Sequence, residues 1–206
     1  MKYPRTPHLP WSEGVTSDDK MLKTTNIFVG NRVIVTEKLD GENTGMTCES
    51  IHARSLDSKD HPSRHWVKGL WGSIKLDIPE NMKIFGENVY AKHSIHYKEI
   101  RTYFYVISIW EGENCLSWDE TKDWCQLLNL QQVPVLYDGI YDENIIKSLY
   151  KPVKDNGDEM EGYVLRNANG FNLNDFKDNI GKFVRVNHVQ SSEHWMYEKM
   201  IKNEII

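Results

Sequence analysis

One lysine in this sequence stands where its amine could act as a nucleophile. Lys38 follows the β-branched run Val33–Thr36 and precedes the dipeptide Asp40-Gly41, so a strand ends at the lysine and a turn signal follows it. A lysine held at a strand end can lose part of its hydration and still meet a polyanionic ligand, and these conditions activate an amine. The flanking Glu37 and Glu42 suit a ligand that arrives with metal ions. The same stretch also fits a plain hairpin with a solvated lysine at its mouth.

Charged residues further along the chain add the groups that phosphoanhydride chemistry needs. Arg54 ends a short strand, Glu87 interrupts an otherwise apolar strand, and Glu161 opens a later one. Lys182 and Arg185 lie on the last predicted strand. In such chemistry a nucleophile reaches the α-phosphorus, cations neutralise the phosphate oxygens, and carboxylates hold a metal or fix the ribose hydroxyls. A carboxylate inside an apolar strand also needs a partner, because burying it unpaired is costly.

These residues can meet only if the strands that carry them border one cleft. Residues 102–110 are continuously aromatic and aliphatic, which predicts a central strand buried on both faces. Residues 1–32 contain three closely spaced prolines and predict an irregular lead-in that packs through Leu9 and Trp11. The other predicted strands cover residues 33–38, 44–49, 51–55, 83–91, 133–136, 161–166 and 181–186, and helices are predicted within 61–76, 119–130, 142–150 and 191–202.

Length and composition limit the class of protein. A chain of 206 residues fits one domain, and we expect residues 1–206 to form it. The chain has no long apolar run and no secretory signal, so we expect a cytoplasmic protein that does not contact a membrane. Its three cysteines support neither a disulfide framework nor a zinc ribbon. A net charge of −5 argues against a protein that coats nucleic acid, so any polynucleotide contact is expected to be local.

Other catalytic or metal-binding patterns are not met. The histidines at positions 93, 96, 188 and 194 match no zinc-site spacing. The sequence has no G-x-S-x-G elbow of a serine hydrolase and no G-x-x-x-x-G-K-[ST] phosphate loop. These absences leave the lysine-centred chemistry as the hypothesis to develop.

Five stretches resemble, in order, the motifs of the covalent nucleotidyltransferases, the superfamily of polynucleotide ligases and messenger-RNA capping enzymes, and specifically those of ATP-dependent RNA ligases. One K-x-D-G tetrapeptide is a weak signal, whereas five motifs in order are a strong one. Asn43 stands where the RNA-ligase branch carries an asparagine, and residues 188–195 resemble the ending of Deinococcus-type and phage RNA ligases. The motifs are Lys38-Leu-Asp-Gly41, Ala53-Arg54-Ser55, Phe85-Gly86-Glu87-Asn88, Glu161-Gly-Tyr-Val-Leu-Arg166 and Lys182-Phe-Val-Arg185.

The resemblance implies an α+β nucleotidyltransferase fold, with two mainly antiparallel sheets flanking a nucleotide cleft and helices outside. It implies that Lys38 takes AMP from ATP to form lysyl-AMP, with Mg²⁺ or Mn²⁺ as the metal. Glu37 and Ile107 then belong to the nucleotide pocket. Arg54 contacts the ribose or the polynucleotide end, and Asn43 helps to align that end.

The remaining implied roles concern metal and phosphate. Glu87 binds the ribose hydroxyl or the metal, and Glu161 holds the metal or the lysine. Lys182 and Arg185 neutralise the α-phosphate and the leaving pyrophosphate. The implied partners are RNA ends with a 5′-phosphate and a 3′-hydroxyl, in a nicked or broken RNA such as a tRNA, and an end-processing protein that recruits the enzyme.

The sequence departs from the family pattern at two places. Ile107-Ser108 stands where the family usually has Phe-Asp, so the face for adenine is expected to be aliphatic or to come from a neighbour such as Tyr105. Lys182 and Arg185 are three positions apart, so they cannot both point to one face of a regular strand. One of these two cations is therefore expected to miss the phosphates.

Several alternatives stay open at this stage. A DNA ligase or a guanylyltransferase of the same superfamily would use the same lysine chemistry, although Asn43 and the lack of an expected OB-fold domain favour an RNA ligase. A relative that binds nucleotide or RNA ends without turnover would keep the fold but not the reaction. The oligomeric state and the kind of RNA break are left open.

Overall fold

The computed structural model describes residues 1–55, 60–186 and 200–206. The α-helices are α1 (His65–Ile74), α2 (Trp118–Leu127) and α3 (Glu143–Ser148). Short 3₁₀ turns cover Asn26–Phe28, Pro62–Arg64, Lys75–Asp77 and Leu173–Asp178. The strands are β1 (Arg32–Glu37), β2 (Glu42–Met46), β3 (Ile51–Ala53), β4 (Met82–Asn88), β5 (Phe104–Glu111), β6 (Asn114–Cys115), β7 (Gln131–Gln132), β8 (Val135–Ile140), β9 (Gly162–Asn167), β10 (Phe171–Asn172) and β11 (Ile180–Val184).

The strands form two sheets, which confirms the expected fold class. The smaller sheet has the order β11-β9-β1-β8 and is antiparallel throughout. The larger sheet has the order β10-β6-β5-β4-β2-β3, and the short strand β7 runs parallel to β5 beside it. Sheets of this kind commonly face a core on one side, so each needs a cover for its apolar face.

The core is built in layers, with the two sheets in the middle and the helices outside. Ile34 of β1 and Tyr105 of β5 pack in one buried cluster, which joins the inner faces of the two sheets. Helices α1 and α2 cover the outer face of the larger sheet, where Val67 packs in a cluster with Val106. Helix α3 covers the smaller sheet through Ile146. Strand β5 is therefore buried on both faces, as its continuous apolar sequence predicts.

The Asp40-Gly41 turn does not reverse the chain into a hairpin, which corrects the local interpretation of this dipeptide. Strand β1 belongs to the smaller sheet and β2 to the larger one, so these two residues carry the chain from one sheet to the other. The Asp40 carboxylate accepts hydrogen bonds from the backbone N–H groups of Ser94 and Ile95, at 2.7 and 2.8 Å. A Cβ on Gly41 would lie 2.6 Å from the carbonyl oxygen of Asn88, so close approach to β4 is what requires glycine here.

The N-terminal arm, which we define as residues 1–22, is more regular than predicted. It runs beside β11, where Leu9 N–H donates to the Lys182 carbonyl at 2.8 Å and Lys182 N–H donates to the Pro7 carbonyl at 2.9 Å. Leu9 is fully buried, and the indole N–H of Trp11 donates to the Tyr163 hydroxyl at 2.8 Å. The closely spaced prolines thus exclude a helix, yet they leave an extended arm that can pair along a sheet edge.

The predicted C-terminal helix and the RNA-ligase-like ending fall mainly on residues 187–199, which lie outside the described part of the chain. The described residues 200–206 form no helix and pair only through isolated β-bridges at Lys202 and Ile205, so the prediction that the helix reaches Lys202 is wrong. Asn203 anchors this segment, because its side chain accepts from Tyr97 N–H at 2.9 Å and donates to the Val89 carbonyl at 2.8 Å. No helix in the described residues is long and apolar enough to cross a bilayer.

A glycine at the start of β9 gives a stability prediction. A Cβ at Gly162 would lie 2.0 Å from the backbone carbonyl oxygen of Phe183 on β11, and a backbone atom in a sheet cannot move aside easily. We expect Gly162→Ala to lower the free energy of unfolding in urea by about 1–3 kcal/mol. The control is Gly69→Ala at an exposed position of α1, where no atom lies within 4 Å of the added Cβ. This substitution should stabilise the protein by about 0.5–1 kcal/mol. Equal stability of Gly162→Ala and the parent protein would contradict this account.

Candidate active site

A cavity of about 170 Å³ opens between the two sheets. Both sheets and the N-terminal arm contribute to its wall, so the fold brings together residues that are far apart in the sequence. The lining residues are Tyr3, Pro4, Arg5, Thr6, Thr36, Glu37, Lys38, Leu39, Asn43, Arg54, Glu87, Ile107, Val133, Val164, Arg166, Ile180 and Lys182.

Lys38, which lines this cleft, forms an ion pair with Glu161. Strands β1 and β9 are antiparallel neighbours, and Lys38 N–H donates to the Gly162 carbonyl at 2.9 Å just beyond the end of β1. This backbone pairing sets the two side chains next to each other, with Lys38 Nζ 2.5 Å from Glu161 Oε1. The Glu161 side chain is only 6% exposed, whereas that of Lys38 is 27% exposed. The amine thus faces the open cleft while its carboxylate partner is buried.

The charge state of Lys38 follows from two opposing effects. Burial lowers the pKa of the Lys38 amine, but the nearby carboxylates of Glu161, Glu87 and Asp40 outweigh it, so that the pKa is raised above its ordinary value. The amine is therefore protonated at neutral pH. A protonated amine is not a nucleophile, so Lys38 could act as one only after losing this proton.

Glu87 is the second carboxyl group in the cleft. Strand β4 places it opposite Asn43 of β2, and both side chains line the cavity. Burial raises the pKa of Glu87 to about 8, against the opposing effect of Lys38 and with a further increase from the nearby Glu161. Glu87 is therefore mostly protonated at neutral pH until another cation enters the cleft.

The two glutamates fit a divalent metal. Glu161 Oε2 is buried and has no hydrogen-bond partner among the described residues. A buried carboxylate oxygen without a partner is costly, and carboxylate oxygens are the ligands that Mg²⁺ and Mn²⁺ prefer. A metal held by Glu161 and Glu87 would satisfy the unpartnered oxygen and favour the ionised form of Glu87.

Lys182 and Arg185, the late basic pair, separate as the strand geometry predicts. Lys182 of β11 lines the cavity, and its ammonium lies 3.8 Å from the Asp19 carboxylate of the N-terminal arm. Burial lowers the pKa of Lys182, while Asp19 opposes that effect. Arg185 lies outside the cavity wall and pairs with Glu159 at 2.5 Å. Arg185 lies one position past the end of β11, away from the cavity wall, and its assignment to the nucleotide pocket stays a prediction.

Arg54 and Glu37 are two more predicted site residues in the cleft wall. Arg54 follows β3 and supplies a further positive charge near Lys182. Glu37 is buried, and its carboxylate accepts a hydrogen bond from Lys154 Nζ at 2.8 Å. Glu37 therefore lines the cavity, while its ion-pair partner Lys154 lies outside the cavity wall.

One end of the cavity is apolar. Ile107, Val164 and Ile180 line it from three different strands. The pairing of β4 and β5 shifts between Phe85 and Gly86, which leaves Ile107 as the extra residue of a β-bulge. Tyr105 does not supply an aromatic face here, because it lies outside the cavity wall with its hydroxyl bonded to Arg101 N–H at 3.0 Å.

Sequence reasoning missed several residues of the cleft wall. Residues 3–6 of the N-terminal arm line the cavity, although their irregular, proline-rich sequence predicted only a lead-in. Arg166 also lines it, and its guanidinium donates to the Leu116 carbonyl at 2.9 Å and lies over the ring of Trp118. Arg166 is the last residue of the fourth motif, and the sequence predicted no function for its side chain. No local pattern could reveal the arm, since its place depends on packing against β11.

The family profile described as RNA ligase matches residues 31–184, which is most of the chain and includes all five motifs except the final Arg185. No curated protein sequence matches the chain.

Solved structures of RNA ligases share the fold. A mutant Naegleria gruberi RNA ligase with ATP and Mn is 18% identical, with a TM-score of 0.53; the matched region covers 77% of this chain and 51% of the Naegleria chain. The Naegleria gruberi RNA ligase with PPi is 17% identical, with a TM-score of 0.54; the matched region covers 90% of this chain and 60% of that one. An archaeal ATP-dependent RNA ligase is 14% identical, with a TM-score of 0.58; the matched region covers 89% of this chain and 48% of the archaeal chain. The chain spans about half the length of these structures, and identities this low establish the fold alone.

The half-buried Glu87 gives a prediction about stability and pH. Folding raises the pKa of this carboxyl group to about 8. Its contribution to stability is therefore complete at a pH below the pKa of the unfolded chain, and it is lost as the pH rises through the pKa of the folded protein. We expect the free energy of unfolding of the parent protein to fall from roughly pH 5 to pH 8 relative to that of Glu87→Gln, by at most about 1.4 kcal/mol per pH unit. Urea titrations at both pH values measure this difference. Glu80→Gln, at an exposed glutamate, is the control and should track the parent; a Glu87→Gln curve that does the same would refute the account.

Proposed function

The chain belongs to the RNA ligase family, and from this premise we propose that it is an ATP-dependent RNA ligase that acts through lysyl-AMP. The observation that carries the proposal is the amine of Lys38, paired with Glu161 inside a cleft that Glu87, Lys182 and Arg54 also line. This set supplies a nucleophile, two carboxylates and two cations around one cavity. Phosphoryl-group transfer depends on such positioning and charge stabilisation.

In the proposed first step Lys38 Nζ attacks the α-phosphorus of ATP. A nitrogen–phosphorus bond forms, the bond from the α-phosphorus to the bridging oxygen breaks, and pyrophosphate leaves. The ammonium of Lys38 must first lose a proton, and Glu161 Oε1 at 2.5 Å is the nearest acceptor for it. Lys38 and Glu161 therefore act as nucleophile and proton acceptor in this step.

A divalent metal, Mg²⁺ or Mn²⁺, would be held by Glu161 and Glu87 and would neutralise charge on the phosphate oxygens. The structures of related ligases carry Mn together with ATP or AMP, which supports this choice of metal for the family. Ionised Glu87 and Glu161 would then share their charge with that metal instead of with Lys38. This exchange releases the amine for attack.

The rest of the cleft wall gives each part of the nucleotide a place. Lys182 would neutralise the phosphates of ATP, and Arg54 would contact the ribose or the RNA end. The apolar end formed by Ile107, Val164 and Ile180 would take the adenine base. Glu37, held by Lys154, would border the same pocket. We further propose that residues 1–206 act as one adenylation domain.

The AMP then passes from Lys38 to the 5′-phosphate of an RNA end, and a 3′-hydroxyl displaces it to seal the strand. Asn43 and Arg54 line the same cleft as Lys38, and among the described residues neither is a hydrogen-bond partner of the Lys38–Glu161 pair, which supports a role in aligning the RNA ends. The net charge of −5 favours a local RNA contact, so an end-processing partner that delivers a nicked or broken RNA fits the same proposal.

The covalent step is tested by the nucleophile itself. After incubation with magnesium and ATP labelled in its α-phosphate, the parent protein should keep the label through denaturation. Lys38→Ala and Lys38→Arg should keep none, since the first lacks the amine and a guanidinium stays protonated. Lys122→Ala, at an exposed lysine of α2, is the control and should label normally. Label on Lys38→Ala would end the proposal, and a protein that only binds nucleotide would leave no label in any of them.

The division of roles predicts that the reaction steps separate in variants. Asn43→Ala and Arg54→Ala should still form lysyl-AMP but should seal a pre-adenylylated RNA about 100-fold more slowly, because misplaced ends lose the benefit of positioning. Glu161→Ala should impair lysyl-AMP formation itself, because it removes the proton acceptor and a metal ligand. The two assays, adduct formation and closure of pre-adenylylated RNA, are run on all three variants. If all three lose both steps in equal proportion, the roles assigned here are wrong.

A further inference from the structure

The N-terminal arm is built into the cleft wall. Four successive residues, 3–6, line the cavity between the sheets. The arm behind them is anchored by the backbone hydrogen bonds of Pro7 and Leu9 to Lys182 and by buried His8, which bonds to Ser12 at 2.7 Å. The arm is therefore held in place by the same strand, β11, that presents Lys182 to the cleft. The family profile begins at residue 31, so the arm lies outside the matched region.

Tyr3 is the part of the arm that reaches the apolar end of the cavity. Its ring lies 5.2 Å from the ring of Phe85 and 5.7 Å, edge to face, from that of Phe176. Tyr3 packs in the same cluster as Ile107 and Val164, which line the apolar end of the cavity. Burial raises the pKa of Tyr3 above its ordinary value, opposed by Arg166 and by a hydrogen bond with Ser108. The ring is thus fixed on one side by aromatic packing while it borders the cavity on the other.

The composition of the cavity wall shows what Tyr3 can contribute. Among the described residues that line the cavity, Tyr3 is the one aromatic side chain. Its neighbours Ile107, Val164 and Ile180 are aliphatic and offer only dispersion contacts to a flat base. An aromatic ring gives a purine a polarisable surface with a preferred stacked or edge-to-face geometry.

We propose that Tyr3 is a base-contacting residue and that the N-terminal arm completes the nucleotide pocket. The ligand class is a purine nucleoside triphosphate, so this inference rests on the function proposed above and names one wall of its site. The hydroxyl of Tyr3 is engaged by Ser108, and the ring is the group that meets the base.

The arm also reaches the phosphate end of the cleft. Asp19 lies 3.8 Å from the Lys182 ammonium and 3.4 Å from the His8 ring, so one carboxylate of the arm contacts the cation expected to meet the phosphates. Tyr3 and Asp19 thus bring the arm to the apolar part of the cavity wall and to Lys182. A bound nucleotide would contact the arm through its base and compete with Asp19 for Lys182 through its phosphates.

The test compares Tyr3→Leu, which removes the ring but keeps an apolar side chain, with Tyr3→Phe, which removes only the hydroxyl. Lysyl-AMP formation is followed in single turnovers over a range of ATP concentrations. Tyr3→Leu should raise the half-saturating ATP concentration about tenfold, the size expected for one base–aromatic contact, and should leave the rate at saturating ATP unchanged. Tyr3→Phe should match the parent in both values. Lys2→Ala is the control, because Lys2 is an exposed arm residue outside the cavity wall.

A purely structural role for Tyr3 would give a different result. Tyr3→Leu would then lower the thermal unfolding temperature and the yield of adduct at saturating ATP without changing the half-saturating concentration, and that outcome overturns the proposal. A second measurement uses the parent protein, so it does not depend on the folding of a variant. Photolabelling with 8-azido-ATP should modify the peptide that contains Tyr3, and label recovered only elsewhere would also overturn the proposal.

The failure of this inference is distinct from a failure of the proposed function. If the parent protein forms no adduct with ATP, the ligase proposal falls, while equilibrium binding of ATP with Mn²⁺ to the parent and to Tyr3→Leu still tests the base contact. If the parent forms the adduct and Tyr3→Leu forms it with unchanged ATP dependence, the ligase proposal stands and Tyr3 has no role in base binding.

Discussion

The structure depends on one partly buried ion pair, between Lys38 and Glu161. Taking charges out of water is costly unless they are paired, and here three carboxyl groups surround a single amine, since Glu87 and Asp40 lie close to the pair. This excess of negative charge raises the pKa of the Lys38 amine, while burial, with a further increase from Glu161, raises the pKa of Glu87 to about 8. In the proposed reaction a cation bound by these carboxylates would offset the imbalance and favour the neutral amine.

The two-sheet architecture is what makes this pair part of a larger site. Lys38 directly follows β1 of the smaller sheet, whereas Glu87 lies on β4 of the larger one. The Asp40-Gly41 connection carries the chain across, and the Asp40 carboxylate fixes that connection through the backbone N–H groups of Ser94 and Ile95. A rigid connection next to the nucleophile restricts where its amine can point, which is the positioning that group transfer needs.

Much of this could be predicted from the sequence, because the signals are local or ordered along the chain. The β-branched run of β1, the apolar run of β5 and the helical spacing of α1 each reflect burial on a known period, and the structure confirms them. The order of the five motifs identified the family, and Lys38, Glu87 and Glu161 do line or border one cleft. Strand alternation also predicted that Lys182 and Arg185 do not point the same way, and only Lys182 lines the cavity.

The tertiary structure alone decided how these pieces meet. Asp40-Gly41 has the sequence of a hairpin turn, yet β1 and β2 enter different sheets, because strand partners are chosen by long-range packing and not by the turn itself. Tyr3 lies in a proline-rich segment without periodicity, and only its contacts with Phe85 and Phe176 bring it to the cleft. The sequence by itself thus determined the chemistry and the elements, since both depend on residue type and spacing. The crossing between sheets and the arm beside β11 depend on contacts between distant residues, which no local pattern records.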